Sequence, residues 1–158
     1  MNEELPRIVI VDHYDSYTRN LLPLISSCFE PPPSAELLNN RVTVIRHTHE
    51  ALEAEEFCAN FLPHVDALIL SPGPGSAESL SDFGTSMSLL QHPALHDFPI
   101  LGVCLGHQGI AKAAGGTIDQ LSEPFHGRKR ALFMSETGRT DGLRSIMDGV
   151  EAVSYTHL

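Results

Sequence analysis

The feature that most constrains the fold is a set of four short apolar runs in which hydrophobic residues do not alternate with polar ones. They occupy residues 7–11, 42–45, 67–70 and 100–103. Runs of β-branched and aliphatic residues bounded by turn-forming residues are typical of strands that are buried on both faces. The runs therefore predict a parallel sheet that is covered by other elements on both sides.

Helical patterns fill the intervals between these runs. Apolar residues recur at helical spacing over residues 20–29, 50–62, 83–90 and 108–114. Strands that alternate with helices predict the α/β class, with an open, mostly parallel sheet, helices on both faces and right-handed crossovers. Residues 30–41, which include three consecutive prolines, are interpreted as a surface insertion, and residues 130–135 as a possible further strand. We expect residues 1–158 to form a single partial domain.

Charge and hydropathy limit the partners that the chain can have. It carries 10 basic and 20 acidic residues, and the resulting net charge of −10 leaves no basic stripe for a phosphate backbone. No apolar stretch approaches the roughly 18 residues that span a bilayer, and the acidic N-terminus resembles no targeting peptide. We expect a cytoplasmic protein that binds neither nucleic acid nor membrane and needs no cofactor.

The three cysteines have no metal-ligand spacing, so no metal site is expected. Reduced thiols in the cytosol are the simplest interpretation. Cys28 and Cys58 lie within apolar helical patterns, and we interpret both as small core residues because free cysteine is commonly buried.

Three polar or glycine-rich stretches each follow directly after a predicted strand. Residues 12–16 are Asp-His-Tyr-Asp-Ser, residues 71–75 are Ser-Pro-Gly-Pro-Gly, and Cys104 comes at the end of the fourth run. Ligands of parallel α/β sheets gather at the carboxyl ends of the strands. We expect the three stretches to converge on one rim of the sheet.

Cys104 lies at the centre of a Gly-x-Cys-x-Gly sequence, between Gly102 and Gly106. A strand, a tight turn and a helix beginning near His107 would hold the thiol on a strained elbow, with glycines that let neighbouring backbone pass close. The helix N-terminus would favour the reactive thiolate, and the N–H of Leu105 would point to where an oxyanion develops. The alternative is a buried structural cysteine in a strand-to-helix turn.

The loop at residues 71–75 alternates two prolines with two glycines after its serine. Such a loop is rigid and exposes backbone amides, which suits an oxyanion donor or a clamp on a substrate amide. A plain Pro/Gly turn is the alternative. The neighbouring candidate nucleophile favours the first interpretation, because covalent catalysis needs a nucleophile and an anion pocket together.

Together these motifs resemble the class I, triad-type glutamine amidotransferases. The resemblance rests on residues 99–108, Pro-Ile-Leu-Gly-Val-Cys-Leu-Gly-His-Gln, together with residues 71–75. Residues 12–20 are similar to the D-N-Y-D-S-[FY]-T-x-N opening of the branch that serves anthranilate synthase and aminodeoxychorismate (para-aminobenzoate) synthase. His126-Gly127 matches a further signature of that branch, and residues 123–128 are more like the aminodeoxychorismate synthases.

The resemblance implies a flavodoxin-like fold and a role for each matching position. Cys104 would attack the side-chain amide of glutamine, forming a γ-glutamyl thioester and releasing ammonia. The ammonia would pass to a chorismate-binding synthase domain, fused or separate, for para-aminobenzoate and folate synthesis. The other implied roles are the oxyanion hole (Gly73 and Leu105), glutamine binding (Gly75 and Gln108) and proximity to the pocket and the synthase partner (Asp15, Ser16, His126 and Gly127).

One part of the family's pattern is absent. The family takes its base from a His-x-Glu pair far C-terminal to the cysteine, and His49, His64 and His92 each lack a glutamate two residues on. His107 is interpreted as a helix-start residue packed behind the thiol.

Residues 153–158 carry a scrambled form of the family's Tyr-His-Ser-Leu signature. We therefore expect a C-terminally truncated domain, inactive alone, with an unpaired sheet edge.

Three alternatives stay open. The chain could be the glutaminase component of an anthranilate synthase, in tryptophan synthesis. It could be a catalytically silent module that docks a synthase, which the missing base supports. It could also be a different hydrolase with a cysteine elbow, although residues 12–16 and 126–127 would then be unexplained.

Overall fold

A computed structural model describes residues 5–119 and the backbone of two later strands, at 128–131 and 151–154. The chain divides into one unit up to Ile118 and a second from Asp119. The first unit contains all four predicted apolar runs. The second contains the antiparallel pair Arg128–Ala131 and Glu151–Ser154, of which the first overlaps the start of the further strand expected at residues 130–135.

The first unit is built on a four-stranded sheet in which neighbouring strands all run parallel. The strands lie in the order β2-β1-β3-β4. Each coincides with a predicted run to within one residue at either end, so the predicted α/β class and parallel sheet are confirmed. The strands are β1 (Ile8–Asp12), β2 (Val42–Arg46), β3 (Ala67–Leu70) and β4 (Ile100–Gly102).

Five α-helices lie in the described part of the chain, four of them at predicted positions. The pattern at residues 50–62 is split, because a 3-10 turn precedes the helix and another, containing Pro63, follows it. The helix within residues 30–41 was not predicted; the Ser34 hydroxyl caps it by accepting from the N–H of Leu37 at 3.2 Å. The helices are α1 (Leu21–Ser27), α2 (Ala35–Arg41), α3 (Ala54–Asn60), α4 (Leu80–Gln91) and α5 (Leu105–Ala113).

Helices cover both faces of the sheet, as predicted. Successive strand residues point to opposite sides, so Val9 and Val11 pack against α3, α4 and α5, whereas Ile8 and Ile10 pack against α1 and α2. Each large aliphatic or aromatic side chain buried in this way contributes about 1.5–3 kcal/mol of transfer free energy. The helix side chains involved are Phe57, Phe83, Leu89 and Leu105 on one face and Leu21 and Leu38 on the other.

Two further expectations can be compared with the fold. Cys58 is half-buried against the core, but Cys28 is exposed. The prediction for Cys28 was wrong because α1 ends at Ser27, so Cys28 caps the helix instead of continuing its buried face. Among the described residues, no helix has the combined length and apolar character needed to cross a membrane.

Candidate active site

Cys104 occupies a strained turn between β4 and α5. Its φ of 53° and ψ of −106° lie in a region that non-glycine residues rarely adopt, at a cost of roughly 1–3 kcal/mol. The predicted elbow is therefore present. The helix begins at Leu105, earlier than the predicted start near His107, so Cys104 itself is the N-cap residue.

The flanking glycines make this turn sterically possible. A Cβ at Gly102 would lie 2.6 Å from the backbone carbonyl of Gly106, and a Cβ at Gly106 would overlap the carbonyl of Leu70. The N–H of Gly106 also donates to the Ser71 carbonyl at 3.3 Å. The start of α5 thus lies directly against the end of β3, as the glycine spacing predicted.

Three effects, not all in the same direction, set the pKa of the Cys104 thiol. Partial burial raises this pKa, and the negative charge of Asp15 raises it further, whereas the backbone N–H of Leu105 lowers it. The helix N-terminus was expected to favour the thiolate. The Leu105 N–H does act in that direction, but desolvation outweighs it and the net pKa is raised. The thiol is therefore protonated at neutral pH and needs a base before it can act as a nucleophile.

The glycine-rich loop lies beside the elbow. Gly73 packs between two residues of the site, since a Cβ there would be 2.6 Å from both the Cβ of His13 and the Cδ2 of Leu105. Gly75 has a φ of 85° and lies against the Asp82 carboxylate, which accepts from the N–H of Ser76 at 3.1 Å. The loop is thus fixed at Gly73 and again at its far end.

Sequence reasoning missed His13. Its side chain is only 2% exposed, and its Nδ1 and Nε2 lie 3.2 Å from Ser71 Oγ and 2.8 Å from Ser86 Oγ. The ring stacks on Phe83 at 4.9 Å and on His47 at 5.3 Å between centroids. The available signal was the motif at residues 12–20, in which this chain has histidine where the related pattern has asparagine.

Burial dominates the titration of His13. It lowers the pKa from 6.5 to about 4, and the neighbouring His47 lowers it further, against the opposing effect of the Asp12 carboxylate. The imidazole is therefore neutral at physiological pH. It acts here as a hydrogen-bonding group within the core rather than as a charge.

The remaining predicted site residues differ in their contacts and in their exposure to solvent. The Asp15 carboxylate accepts from the N–H of Tyr17 at 2.7 Å, and its charge acts on Cys104. Ser16 is exposed on the same loop. Gln108 is half-buried one helical turn beyond the thiol, and its N–H donates to the Cys104 carbonyl at 3.0 Å. His126 and Gly127 lie outside the described residues.

Several described histidines make hydrogen bonds at other positions. His92 Nδ1 lies 3.2 Å from Cys58 Sγ, and His49 Nδ1 accepts from the N–H of Ala51 at 3.1 Å. We predicted that His107 packs behind the thiol, and this was wrong. The helix begins at Leu105, and His107 lies on its exposed side. Among the described residues, no cluster of three histidine, cysteine or acidic side chains could hold a metal ion.

The fold and these motifs define an α/β protein whose cysteine lies on a strand-to-helix elbow at the carboxyl rim of a parallel sheet. The chain belongs to the class I glutamine amidotransferases, because the sequence pattern of that family matches residues 9–157. The family proposed from the sequence motifs is thereby confirmed, and with it the flavodoxin-like α/β class of fold.

Relatives in this family carry two different names. The chain is 36% identical over 137 residues to an aminodeoxychorismate synthase from Streptomyces griseus, covering 87% of the chain and 17% of that protein. It is 38% identical over 132 residues to anthranilate synthase component 2 from Methanothermobacter thermautotrophicus, covering 80% and 58%. The chloroplastic aminodeoxychorismate synthase of Arabidopsis thaliana is 36% identical over 122 residues, covering 77% and 12%. The chain thus spans less than two thirds of each of these relatives.

Proposed function

We propose that this chain is the glutaminase part of an aminodeoxychorismate synthase and that Cys104 is its nucleophile. The observation that carries the proposal is the strained elbow at Cys104 beside the Gly73 loop, in a chain of the glutamine amidotransferase family. A thiol on such a turn stands clear of the strand and is accessible to a substrate carbonyl.

The reaction follows from the chemistry of a thiol and an amide. The Cys104 sulfur, once deprotonated, adds to the side-chain carbonyl carbon of glutamine, and the carbonyl oxygen becomes an oxyanion that the N–H groups of Leu105 and Gly73 stabilise. Collapse of this intermediate breaks the C–N bond, and the nitrogen leaves as ammonia after taking a proton. Water then hydrolyses the γ-glutamyl thioester to glutamate and restores the thiol.

The other assignments complete the proposed site. We assign Gly75 and Gln108 to glutamine binding. Asp15 and Ser16 are assigned to the segment that serves the pocket and a chorismate-binding synthase partner, and His126-Gly127 is given the same role from its motif alone. Removing one oxyanion-hole donor lowers kcat by about 10²–10³-fold in acyl-transfer catalysis. The partner converts the released ammonia and chorismate into the aminated product.

The choice between the two pathways rests on the sequence at residues 123–128, Glu-Pro-Phe-His-Gly-Arg, which favours aminodeoxychorismate synthase. Relatives of both names match the chain, so the anthranilate synthase component is the alternative. The test extends the chain by the His-Pro-Glu segment of a relative, mixes it with the synthase subunit of each kind and with chorismate and glutamine, and identifies the product by chromatography. Anthranilate as the product would refute our preference.

Turnover by these 158 residues alone should be slow, because the sequence contains no His-x-Glu pair and the pKa of the Cys104 thiol is raised. The test compares glutamine hydrolysis by this chain with a version extended by the His-Pro-Glu segment of a relative, with Cys104→Ser as the blank. We expect ammonia release to rise by about 10²–10⁴-fold in the extended form, the contribution typical of a general base. Full activity in the short form would contradict this reasoning.

A second candidate is a catalytically silent module that docks a synthase, and the raised pKa of the Cys104 thiol favours it. The two candidates differ in whether the site recognises glutamine. Selective labelling of Cys104 by a glutamine-analogue electrophile, with protection by glutamine, would exclude the silent module. Docking of a synthase without such labelling would support it.

A further inference from the structure

We propose that His13 is a positioning residue that holds the loop of residues 71–75 in place, so that the Gly73 N–H stays aligned with the Cys104 elbow. The inference rests on the proposed function, since it concerns the oxyanion donor of that reaction. His13 is buried in the core, so in this role it would position the loop from beneath. His13 itself reaches no substrate.

The hydrogen bonds around Ser71 fix the protonation of the imidazole. The Ser71 hydroxyl donates to the Pro72 carbonyl at 2.6 Å, so its oxygen is left to accept. It accepts from the backbone N–H of His13 at 3.0 Å and lies 3.2 Å from the ring Nδ1. Nδ1 therefore carries the ring proton, and Nε2 accepts from the Ser86 hydroxyl at 2.8 Å. A single neutral tautomer satisfies every group in the network.

Helix α4 holds both ends of the loop through this network. Ser86 reaches the start of the loop by way of His13 and Ser71. Four residues earlier on the same helix, Asp82 accepts from the N–H of Ser76, directly after the loop. The serine and the carboxylate lie one turn apart and anchor the loop to one rigid element.

The same helix also supports the nucleophile. Phe83 of α4 packs so closely beneath Gly109 of α5 that a Cβ at Gly109 would overlap the phenyl ring. The His13 ring stacks on the same Phe83, and the His13 main chain lies against Gly73, 3.0 Å from the position of a Cβ there. Phe83 therefore contacts both His13, which lies against the loop, and the helix that follows the elbow. We expect a displacement of His13 to move Gly73 as well.

A misplacement of about 1 Å in a reacting geometry can lower the rate by about 10²-fold, and an oxyanion donor acts only at hydrogen-bond distance. Loss of the two imidazole hydrogen bonds should therefore slow any reaction at Cys104 that passes through an oxyanion. It should leave unchanged a reaction that forms no oxyanion. This difference separates positioning from a merely structural role, which would affect both reactions alike.

The experiment compares two reagents on the full chain. A chloromethyl-ketone analogue of glutamine first takes the thiolate at its carbonyl carbon, which forms a carbon–sulfur bond and an oxyanion. The sulfur then displaces chloride from the neighbouring methylene carbon, and the first carbon–sulfur bond breaks as the oxyanion re-forms the carbonyl. Iodoacetamide is attacked at carbon and loses iodide, with no oxyanion. Peptide mapping follows the modification of Cys104 separately from that of Cys28 and Cys58.

The main variant is His13→Phe, which keeps an aromatic ring between Phe83 and His47 but removes both hydrogen bonds. We expect its chloromethyl-ketone rate constant to fall by about 10–100-fold, within the range for a displaced oxyanion donor, while the iodoacetamide rate stays within about twofold. Ser88→Ala, on the exposed side of α4, is the matched control and should change neither rate. His13→Asn, the residue of the related motif, should restore part of the rate.

Ser86→Ala covers the case in which His13→Phe fails to fold, since it removes one hydrogen bond and leaves the imidazole in place. A several-fold loss confined to the chloromethyl ketone would support the inference. Equal losses with both reagents, or no loss in a folded variant, would overturn it while the proposed function stands. A wild-type chain whose Cys104 reacts with iodoacetamide but not with the glutamine analogue would overturn both.

Discussion

Acid should destabilise this protein through His13, and the size of the effect follows from its burial. The pKa of His13 falls from 6.5 to about 4 on folding. Between those values the unfolded chain binds a proton more readily than the folded one, so the free energy of unfolding rises with pH across this window. Above pH 6.5 both states are neutral at this residue and its contribution is constant. The stability is lost as the pH falls from 6.5 towards 4.

The magnitude follows from linkage. One pKa unit corresponds to 1.36 kcal/mol, so the difference at His13 amounts to about 3 kcal/mol by pH 4. That is a large part of the 5–15 kcal/mol stability of a typical domain. Two titratable groups act on the ring. His47 stacks on it and also has a lowered pKa, and the Asp12 carboxylate acts to raise the pKa of both histidines.

The assay is chemical denaturation of the wild-type chain and of His13→Phe between pH 4 and pH 8. The variant loses two hydrogen bonds and leaves the Ser86 hydroxyl unpaired, so at pH 7 it should be less stable by about 1–3 kcal/mol. Because phenylalanine does not titrate, the difference should close between about pH 6 and pH 4, and a difference that closes early should then reverse in sign. His96→Phe, at an exposed position, is the control and should keep the wild-type slope. Parallel curves for wild type and His13→Phe would refute the reasoning.

Two further predictions concern the elbow. Asp15→Asn should lower the pKa of the Cys104 thiol, because the carboxylate raises it; the pH midpoint of iodoacetamide modification measures this, and an unchanged midpoint would contradict it. Gly106→Ala should destabilise the fold by about 1–3 kcal/mol or more, since the new methyl overlaps the Leu70 carbonyl. Gly84→Ala is its control in thermal unfolding, because a Cβ there is 3.6 Å from Leu80; that change should stabilise α4 by about 0.5–1 kcal/mol.

The sheet was predictable because strands buried on both faces must be apolar throughout, and such runs are visible in one sequence. The elbow was predictable for a similar reason: Gly102 and Gly106 report a close backbone approach that no other residue permits. Helix α2 was missed because its start depends on one local cap at Ser34, among prolines and asparagines that are typical of loops.

Two properties of the site depend on contacts that local sequence does not contain. His13 and Ser86 are 73 residues apart, and their hydrogen bond arises only when α4 folds back over the end of β1. The raised pKa of Cys104 depends on burial and on Asp15, which arrives from another strand end. Sequence reasoning considered the helix N-terminus alone and therefore expected the opposite balance.

The backbone at Cys104 has a consequence for the relation between stability and activity. At a φ of 53°, glycine would adopt the turn without the cost of roughly 1–3 kcal/mol that a side chain incurs there. A fold optimised for stability alone would therefore have glycine at this position and no thiol. The reactive group stands where the backbone conformation disfavours a side chain, and the packing of α4 and α5 must compensate for this cost. Thermostabilising substitutions are thus better sought in that packing than at the elbow.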